Sequence, residues 1–402
     1  TFSAFQYTFN RLNDLMINRT IMASAVSRRC ILRSFNLFCR RPWDGLPGKL
    51  HQNYFSSFTS AYALMNDEHG DPRKVLSGRN ITLSAKLKAD EVLVKMLMAP
   101  INPADINMIE GTYHIMPKLP AIGGNEGVGE VLEVGPAVKC LAPGDWVIPA
   151  DPGWGTWRTH AVAPFRELQK IDNKIPVLSA ATIAVNPCTA YRMLKDFVHL
   201  KPGDAVIQNS ANSAVGQNVI QIARQWKIKT VNIIRDRPDK DILVKYLKDL
   251  GATHVVTEEF ARLPEMRDLI KTLETPPKLA LNGVGGKSAT ELIRHICQRG
   301  VMVTYGGMAK QPVTIPTGAL IFKEVSAVGY WNSQWNAENK NNPVKEKMLE
   351  ELCEMIKDCK LIPPQSDLLP LTKYKEAVAS AMEGFKGQKK VFVMDDNMIL
   401  YP

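Results

Sequence analysis

The chain has 402 residues, 45% hydrophobic and 22% charged. That is enough for two domains with cores of their own, and ordinary for a globular protein. No run approaches the roughly 20 apolar residues that cross a bilayer, so no transmembrane helix and no membrane insertion are expected. The net charge of +10 does not mark a nucleic-acid surface: residues 1–60 hold eight Arg or Lys against two acids, a balance of +6 that leaves +4 for the other 342 residues, and no recognition motif accompanies it.

That basic excess reads as a targeting leader. From Met22 the text runs "MASAVSRRCILRSFNLFCRRPW", with five arginines among Ser, Leu, Ile and Phe and no acid before Asp44. An Arg-rich, acid-poor segment without a continuous apolar core is the composition of a mitochondrial transit peptide. Residues 1–59 are therefore expected to be a disordered, removable leader that delivers the chain to the mitochondrial matrix, with Met22 a candidate start. The seven cysteines, at 30, 39, 140, 188, 297, 353 and 359, have no C-x-x-C spacing. They describe neither a disulfide framework nor a zinc site and read as small core hydrophobes.

From about residue 60 to 187, short apolar runs alternate with Gly and Pro, as in "EVLVKMLMAPINPADINM", "GVGEVLEVGPAV" and "GDWVIP", which predicts a β-rich unit with tight turns. After Pro187 strands alternate with helices. "DAVIQN" (204–209) is a buried strand, and Val215, Val219, Ile222 and Trp226 then share one helical face. "TVNII" (230–234), "HVVT" (254–257), "LALNGVGG" (279–286) and "VMVTYGG" (301–307) continue as strands. "DKDILVKYLKDLG" is a helix closed by Gly251, and another helix begins near Ser288. Such alternation builds a doubly wound parallel sheet, an α/β fold. The stretch from about 336 ends in a helix, "VKEKMLEELCEMIKDC", and a last strand, "KVFVM".

The segment "ANSAVG" follows a strand and opens a helix, the context a dinucleotide fingerprint requires. Its glycines are reduced to Ala211-x-Ser213-x-x-Gly216, so Asn212, Ser213, Ala214, Val215 and Gly216 are the candidate phosphate contacts. The helix N-terminus would supply oriented N–H groups. Nineteen residues past Gly216, Arg235 opens "RDR" at the end of the second strand, near the offset where an acid reads the ribose of NAD. The guanidinium forks of Arg235 and Arg237 suit a 2′-phosphate and favour NADPH, while Asp236 between them is also placed to face the ribose.

Six strings carry a resemblance: "APINPADINMIEGTY", "GGNEGVGEV", "NPCTAYRML", "IQNSANSAVGQ", "RDRP" and "TYGGMAKQPV". Through them, residues 62–402 resemble the medium-chain dehydrogenase/reductase superfamily and, within it, the mitochondrial trans-2-enoyl-thioester reductases. The resemblance implies a GroES-like β-rich catalytic domain built from 60–187 and 336–402, with a Rossmann NADPH domain at 188–335 between the two parts. It also implies a homodimer, an enoyl-thioester substrate on acyl carrier protein or coenzyme A, reduction as the last step of mitochondrial fatty-acid elongation, and a zinc-free site. Zinc-dependent relatives have histidine where this chain has Asn125, and "DWVIPADPGWGTW" lacks the clustered thiolates of a structural zinc; no metal is expected.

Without a Lewis acid, reduction of a polarised double bond needs hydride at the β carbon, donors for the enolate oxygen and a proton for the α carbon. A phenol, with a reference pKa of about 10, keeps a proton to give at neutral pH. The resemblance assigns that role to Tyr113 and places Asn186 beside it and the nicotinamide. It also brings Tyr305, Gly306, Gly307 and Met308 to the nicotinamide, with Tyr330, Trp331 and Asn332 nearby. A terminal lysine reaches the cofactor, with Lys389 the best match in "GQKKVFVM" and Lys390 the adjacent alternative. Trp331 and Trp335 read equally well as core aromatics. Two rival readings remain: an NADPH quinone or enone reductase, which can act without a proton-donating tyrosine, and a non-catalytic NADPH-binding protein.

Overall fold

The computed structural model describes residues 60–395 apart from 85, 341 and 384–387. The leader expected over 1–59 lies outside the described residues. Strands β1 (Ser60–Asn66), β2 (Ser77–Thr82), β3 (Glu91–Pro100) and β4 (Ala121–Ile122) come first, then β5 (Val128–Val134), β6 (Trp146–Pro149), β7 (His160–Pro164) and β8 (Leu168–Ile171). β1 pairs antiparallel with both β2 and β4 in a small sheet. β3 organises a larger one, pairing antiparallel with β5 and with β7. All of β3 except Lys95 is buried, which explains its near-continuous apolar text: a strand covered on both faces has no polar alternation to show.

The glycine pair of "GGNEG" is a packing device. A Cβ on Gly123 would sit 2.5 Å from the Trp157 ring, and one on Gly124, whose φ is +93°, would come within 2.4 Å of it. Trp157 is fully buried and its Nε1 donates to the Pro100 carbonyl at 3.2 Å, so the passage is drawn against β3 by an indole that leaves no room for side chains.

The second half of the chain forms β9 (Ala205–Gln208), β10 (Lys229–Ile234), β11 (His254–Thr257), β12 (Leu279–Asn282), β13 (Val301–Thr304) and β14 (Ser326–Gly329). They make one six-stranded sheet in the order β11-β10-β9-β12-β13-β14, parallel throughout. The strand order reverses between β9 and β12, the switch point at which open α/β sheets hold ligands. The expected α/β fold is met. Two strands expected over 279–286 and 301–307 end earlier, at Asn282 and Thr304, because glycines take over: Gly285 (φ +84°) and Gly286 (φ +52°) turn the chain into the helix Gly286–His295. β14 escaped sequence reading because its four residues, "SAVG", are all exposed and show no alternation.

Of the predicted helical face, Val219 and Ile222 are fully buried, and Val215 and Trp226 pack against the same cluster. The helix Pro343–Lys357 adds Met348, Leu349, Leu352, Cys353 and Ile356 to that cluster. After it come β15 (Ser366–Pro370) and β16 (Lys389–Val393). β16 pairs antiparallel with β3, so the last strand among the described residues joins a sheet begun some 300 residues earlier.

Candidate active site

At the switch point, β9 runs into a tight loop and the helix Ala214–Gln225. Ser213 is its N-cap, and its hydroxyl accepts from the Gly216 N–H at 3.1 Å. That uses an acceptor lone pair and leaves the O–H as a donor. Gly216 leaves no room for a side chain: its Cβ would stand 2.6 Å from the Ala211 carbonyl oxygen. Gln208 crosses behind the loop, with Nε2 donating to the Gly216 carbonyl at 3.0 Å and to Asn232 Oδ1 at 2.8 Å. Fully buried Asn209 ties the two strands of the switch point, donating to Asn282 Oδ1 at 2.9 Å and accepting from Gly283 N at 2.8 Å. Sequence reasoning missed this amide ladder of Gln208, Asn209, Asn232 and Asn282. Its signal is the four amides that interrupt otherwise apolar strand ends.

Tyr305 stands over the loop from the end of β13. A Cβ on Gly283 would touch its hydroxyl at 2.7 Å. Burial pushes the phenol up to about 12, with the Ser213 hydroxyl pulling the other way; the Oη is nevertheless sealed from solvent without a hydrogen-bond partner of proper geometry. Gly306 and Gly307 follow, Gly307 with no atom within 4 Å of a would-be Cβ, and Met308 is exposed.

Tyr113 comes from the other half of the molecule. The helix Pro103–Glu110 ends at Gly111 in a left-handed cap (φ +74°), and Tyr113 is two residues beyond, half-buried. Its Oη accepts from Trp331 Nε1 at 2.8 Å, with the two rings edge-to-face at 6.2 Å. Trp331 directly follows β14 and Tyr330, so this bond bridges the two halves of the chain. On either side of it, Tyr330 Oη donates to Asn332 Oδ1 at 3.0 Å, and Asn332 Nδ2 donates to the Ala184 carbonyl at 3.1 Å. Two residues on, Asn186 is buried and its Nδ2 has no partner. Trp335 takes a different role, covering the Arg192 guanidinium at 4.6 Å and packing on the core.

Behind Asn186 lies a polar cluster. Lys389 Nζ donates to Asn102 Oδ1 at 2.6 Å, Asn102 Nδ2 to Glu126 Oε2 at 2.8 Å, and Val185 N–H to Glu126 Oε1 at 2.8 Å. Asp105 accepts from the Asn102 N–H at 2.7 Å and from Asn125 Nδ2 at 2.6 Å. Burial pushes Asp105 up to about 6 against these donors and Lys389, and raises Glu126; loss of hydration lowers Lys389 while both carboxylates pull it back. Lys389 is half-buried as a residue, with its ammonium turned inward. Lys390 is instead paired with Asp367. Asn125 is spent in this cluster, with Oδ1 accepting from Gly153 N at 2.6 Å. Among the described residues no group of three or more His, Cys, Asp or Glu side chains is placed to hold a metal ion.

The segment just past the end of β10 is polar and mostly exposed. Arg235 and Asp236 are exposed at the end of β10, Arg237 forks onto Asp239 through Nη2 at 2.9 Å, and Asp236 pairs with Lys240 at 3.2 Å. Asp236 is thus turned toward a lysine that sequence reasoning had not singled out. The set fits a dinucleotide phosphate. Two sealed polar atoms, Asn186 Nδ2 and Tyr305 Oη, lack partners at one end, a capped helix N-terminus with a close-packed glycine follows β9, and Arg235 and Arg237 stand just past the end of the neighbouring strand β10.

The sheet order is that of a doubly wound dinucleotide-binding domain, and the similarities of the chain narrow it to the medium-chain dehydrogenases/reductases. Residues 88–173 match the family described as alcohol dehydrogenase GroES-like domain, and residues 214–350 match the zinc-binding dehydrogenase family. A mitochondrial enoyl-acyl-carrier-protein reductase of Xenopus tropicalis is 50% identical over 354 residues, covering 88% of this chain and all of the relative. The Homo sapiens protein of the same name is 50% identical over 355 residues, covering 88% of this chain and 94% of the relative. A solved complex of Etr1p with NADP and crotonyl-CoA superposes with a TM-score of 0.78 at 37% identity, over 83% of this chain and 99% of its own. The chain belongs to the mitochondrial enoyl-acyl-carrier-protein reductase family.

Proposed function

We propose that this protein reduces trans-2-enoyl thioesters to saturated acyl thioesters with NADPH, and that Tyr113 is the proton donor. The observation that carries the reading is the Tyr113–Trp331 bond beside the unpartnered Asn186 amide. NADPH, when bound, would supply a hydride for the β carbon of the substrate. Enolate charge then develops on the thioester oxygen, and the α carbon takes a proton. Because Tyr113 Oη accepts from the indole, its own O–H stays available to give, and the indole N–H stabilises the oxygen left behind. Asn186, Tyr305, Gly306, Gly307 and Met308 hold the nicotinamide end, with Tyr330, Trp331, Asn332 and Lys389 around it. Asn212, Ser213, Ala214, Val215 and Gly216 take the phosphates, and Arg235, Asp236 and Arg237 border the ribose.

Residues 60–187 and 336–402 make the catalytic domain and 188–335 the cofactor domain, a division supported by the β3–β16 pairing. The carrier in this reading is an acidic acyl carrier protein in the matrix, for which a basic docking patch on the reductase would be the complement. The competing quinone-reductase reading is separated by one assay, NADPH consumption with enoyl thioesters against quinones. Turnover of thioesters supports the proposal, and turnover of quinones alone overturns it. Trp331→Phe removes the indole donor while keeping an aromatic ring, and should lower kcat about 10-fold with the KM for NADPH unchanged, as loss of one hydrogen bond to a charge-bearing oxygen implies.

A homodimer fits the exposed end of the parallel sheet. β14 is its edge strand, and Leu320, Ile321 and Phe322 before it are 47%, 61% and 79% exposed. An open edge beside an apolar patch is a site for pairing. Phe322→Glu should halve the mass seen by light scattering, and a variant still of dimer mass would locate the interface elsewhere.

A further inference from the structure

We propose that Glu126 is a positioning residue that, tied to Lys389 through Asn102, holds the Val185 peptide and so aims the Asn186 carboxamide into the crevice. The inference rests on the reading that Asn186 works beside the cofactor, and deepens it. Three contacts fix the short segment before the helix Asn186–Asp196: Asn332 on the Ala184 carbonyl, Glu126 on the Val185 N–H, and the Val185 carbonyl on Thr189 N at 2.9 Å. The residue they frame, Asn186, is the one whose amide nitrogen has no partner. A pinned backbone with a sealed, unsatisfied donor costs stability unless the donor is used, so the arrangement points to a group held ready for a ligand.

The direction of the relay is determined at every joint. The Lys389 ammonium only donates, so Asn102 must present Oδ1 to it and therefore Nδ2 to Glu126. The Glu126 carboxylate meets these two donors with one oxygen each, Oε2 for that amide and Oε1 for the Val185 N–H. Its negative charge also sits at the start of a helix, where the dipole favours it. Glutamine at 126 has the same shape, but its NH2 must face either the Asn102 NH2 or the Val185 N–H. One joint becomes donor against donor, and the peptide before Asn186 loses its anchor.

The test is a double-mutant cycle on the full-length protein, read as kcat, KM for the enoyl thioester, and NADPH affinity from fluorescence quenching. Glu126→Gln should lower kcat about 10-fold in the wild-type background with the thioester KM unchanged, but less than about twofold on Asn186→Ala, since coupled residues are non-additive. Equal losses in both backgrounds would make Glu126 a structural acid and overturn the proposal. Glu126→Asp keeps the buried charge opposite Lys389 but shortens its reach. It should repeat the pattern, and it serves if the glutamine variant does not fold. Should the wild type reduce no enoyl thioester, the proposed reaction fails while the same cycle, read on NADPH affinity, still decides whether Glu126 acts through Asn186.

Discussion

Tyr113→Phe is expected to lower kcat for enoyl-thioester reduction by about 10²–10³-fold, the usual contribution of a positioned general acid, while NADPH binding stays within about twofold. The ring keeps its edge-to-face contact with Trp331, so the backbone of the loop has no reason to move; what disappears is the oxygen that accepts from the indole and carries the proton. The loss should fall on kcat, because an interaction made only in the transition state leaves ground-state binding alone. Steady-state kinetics with fluorescence titration of NADPH separate the two. A variant with full kcat would remove Tyr113 from the mechanism.

The double variant Arg235→Ala/Arg237→Ala should weaken NADPH binding about 100-fold and leave NADH binding nearly unchanged, since each hydrogen bond between charged partners contributes about 1.5–3 kcal/mol. The two arginines are not equivalent. Arg237 already forks onto Asp239, a pair that must open or share before it meets a phosphate. An exposed pair of this kind costs only about 0–1 kcal/mol to break, so Arg237→Ala alone should show the smaller effect. Comparing NADPH and NADH dissociation constants for both single variants and the double checks this. Equal losses for both cofactors would mean that the arginines do not read the 2′-phosphate.

Much of the fold was legible because parallel strands are short, buried and bounded by glycine and helix signals. Ile207, Val231 and Leu281 are fully buried where "DAVIQN", "TVNII" and "LALNGVGG" predicted strands. β14 was not legible: an exposed edge strand carries no burial pattern. The site divides the same way. The loop at Ser213–Gly216 announces itself by its position between strand and helix, and the physical reason for its glycine, a carbonyl 2.6 Å from any Cβ, is local. The Tyr113–Trp331 bond spans 218 residues, and no spacing rule reaches that far; only resemblance brought both residues to one place. Glu126 lay in plain view in "GGNEGVGEV", but its meaning depends on Asn102, Val185 and Lys389, three residues drawn from three segments. Asp236 was ambiguous in sequence for a related reason: which way it faces is decided by Lys240, one turn on.

The most direct test of the account is the position of solvent-derived hydrogen in the product. Crotonyl thioester, NADPH and wild-type protein are mixed in deuterated water, and the product is analysed by mass spectrometry and NMR. The expected product is a saturated butyryl thioester with one deuterium at the α carbon and none at the β carbon. No reduction of the thioester, or deuterium at the β carbon, would contradict it.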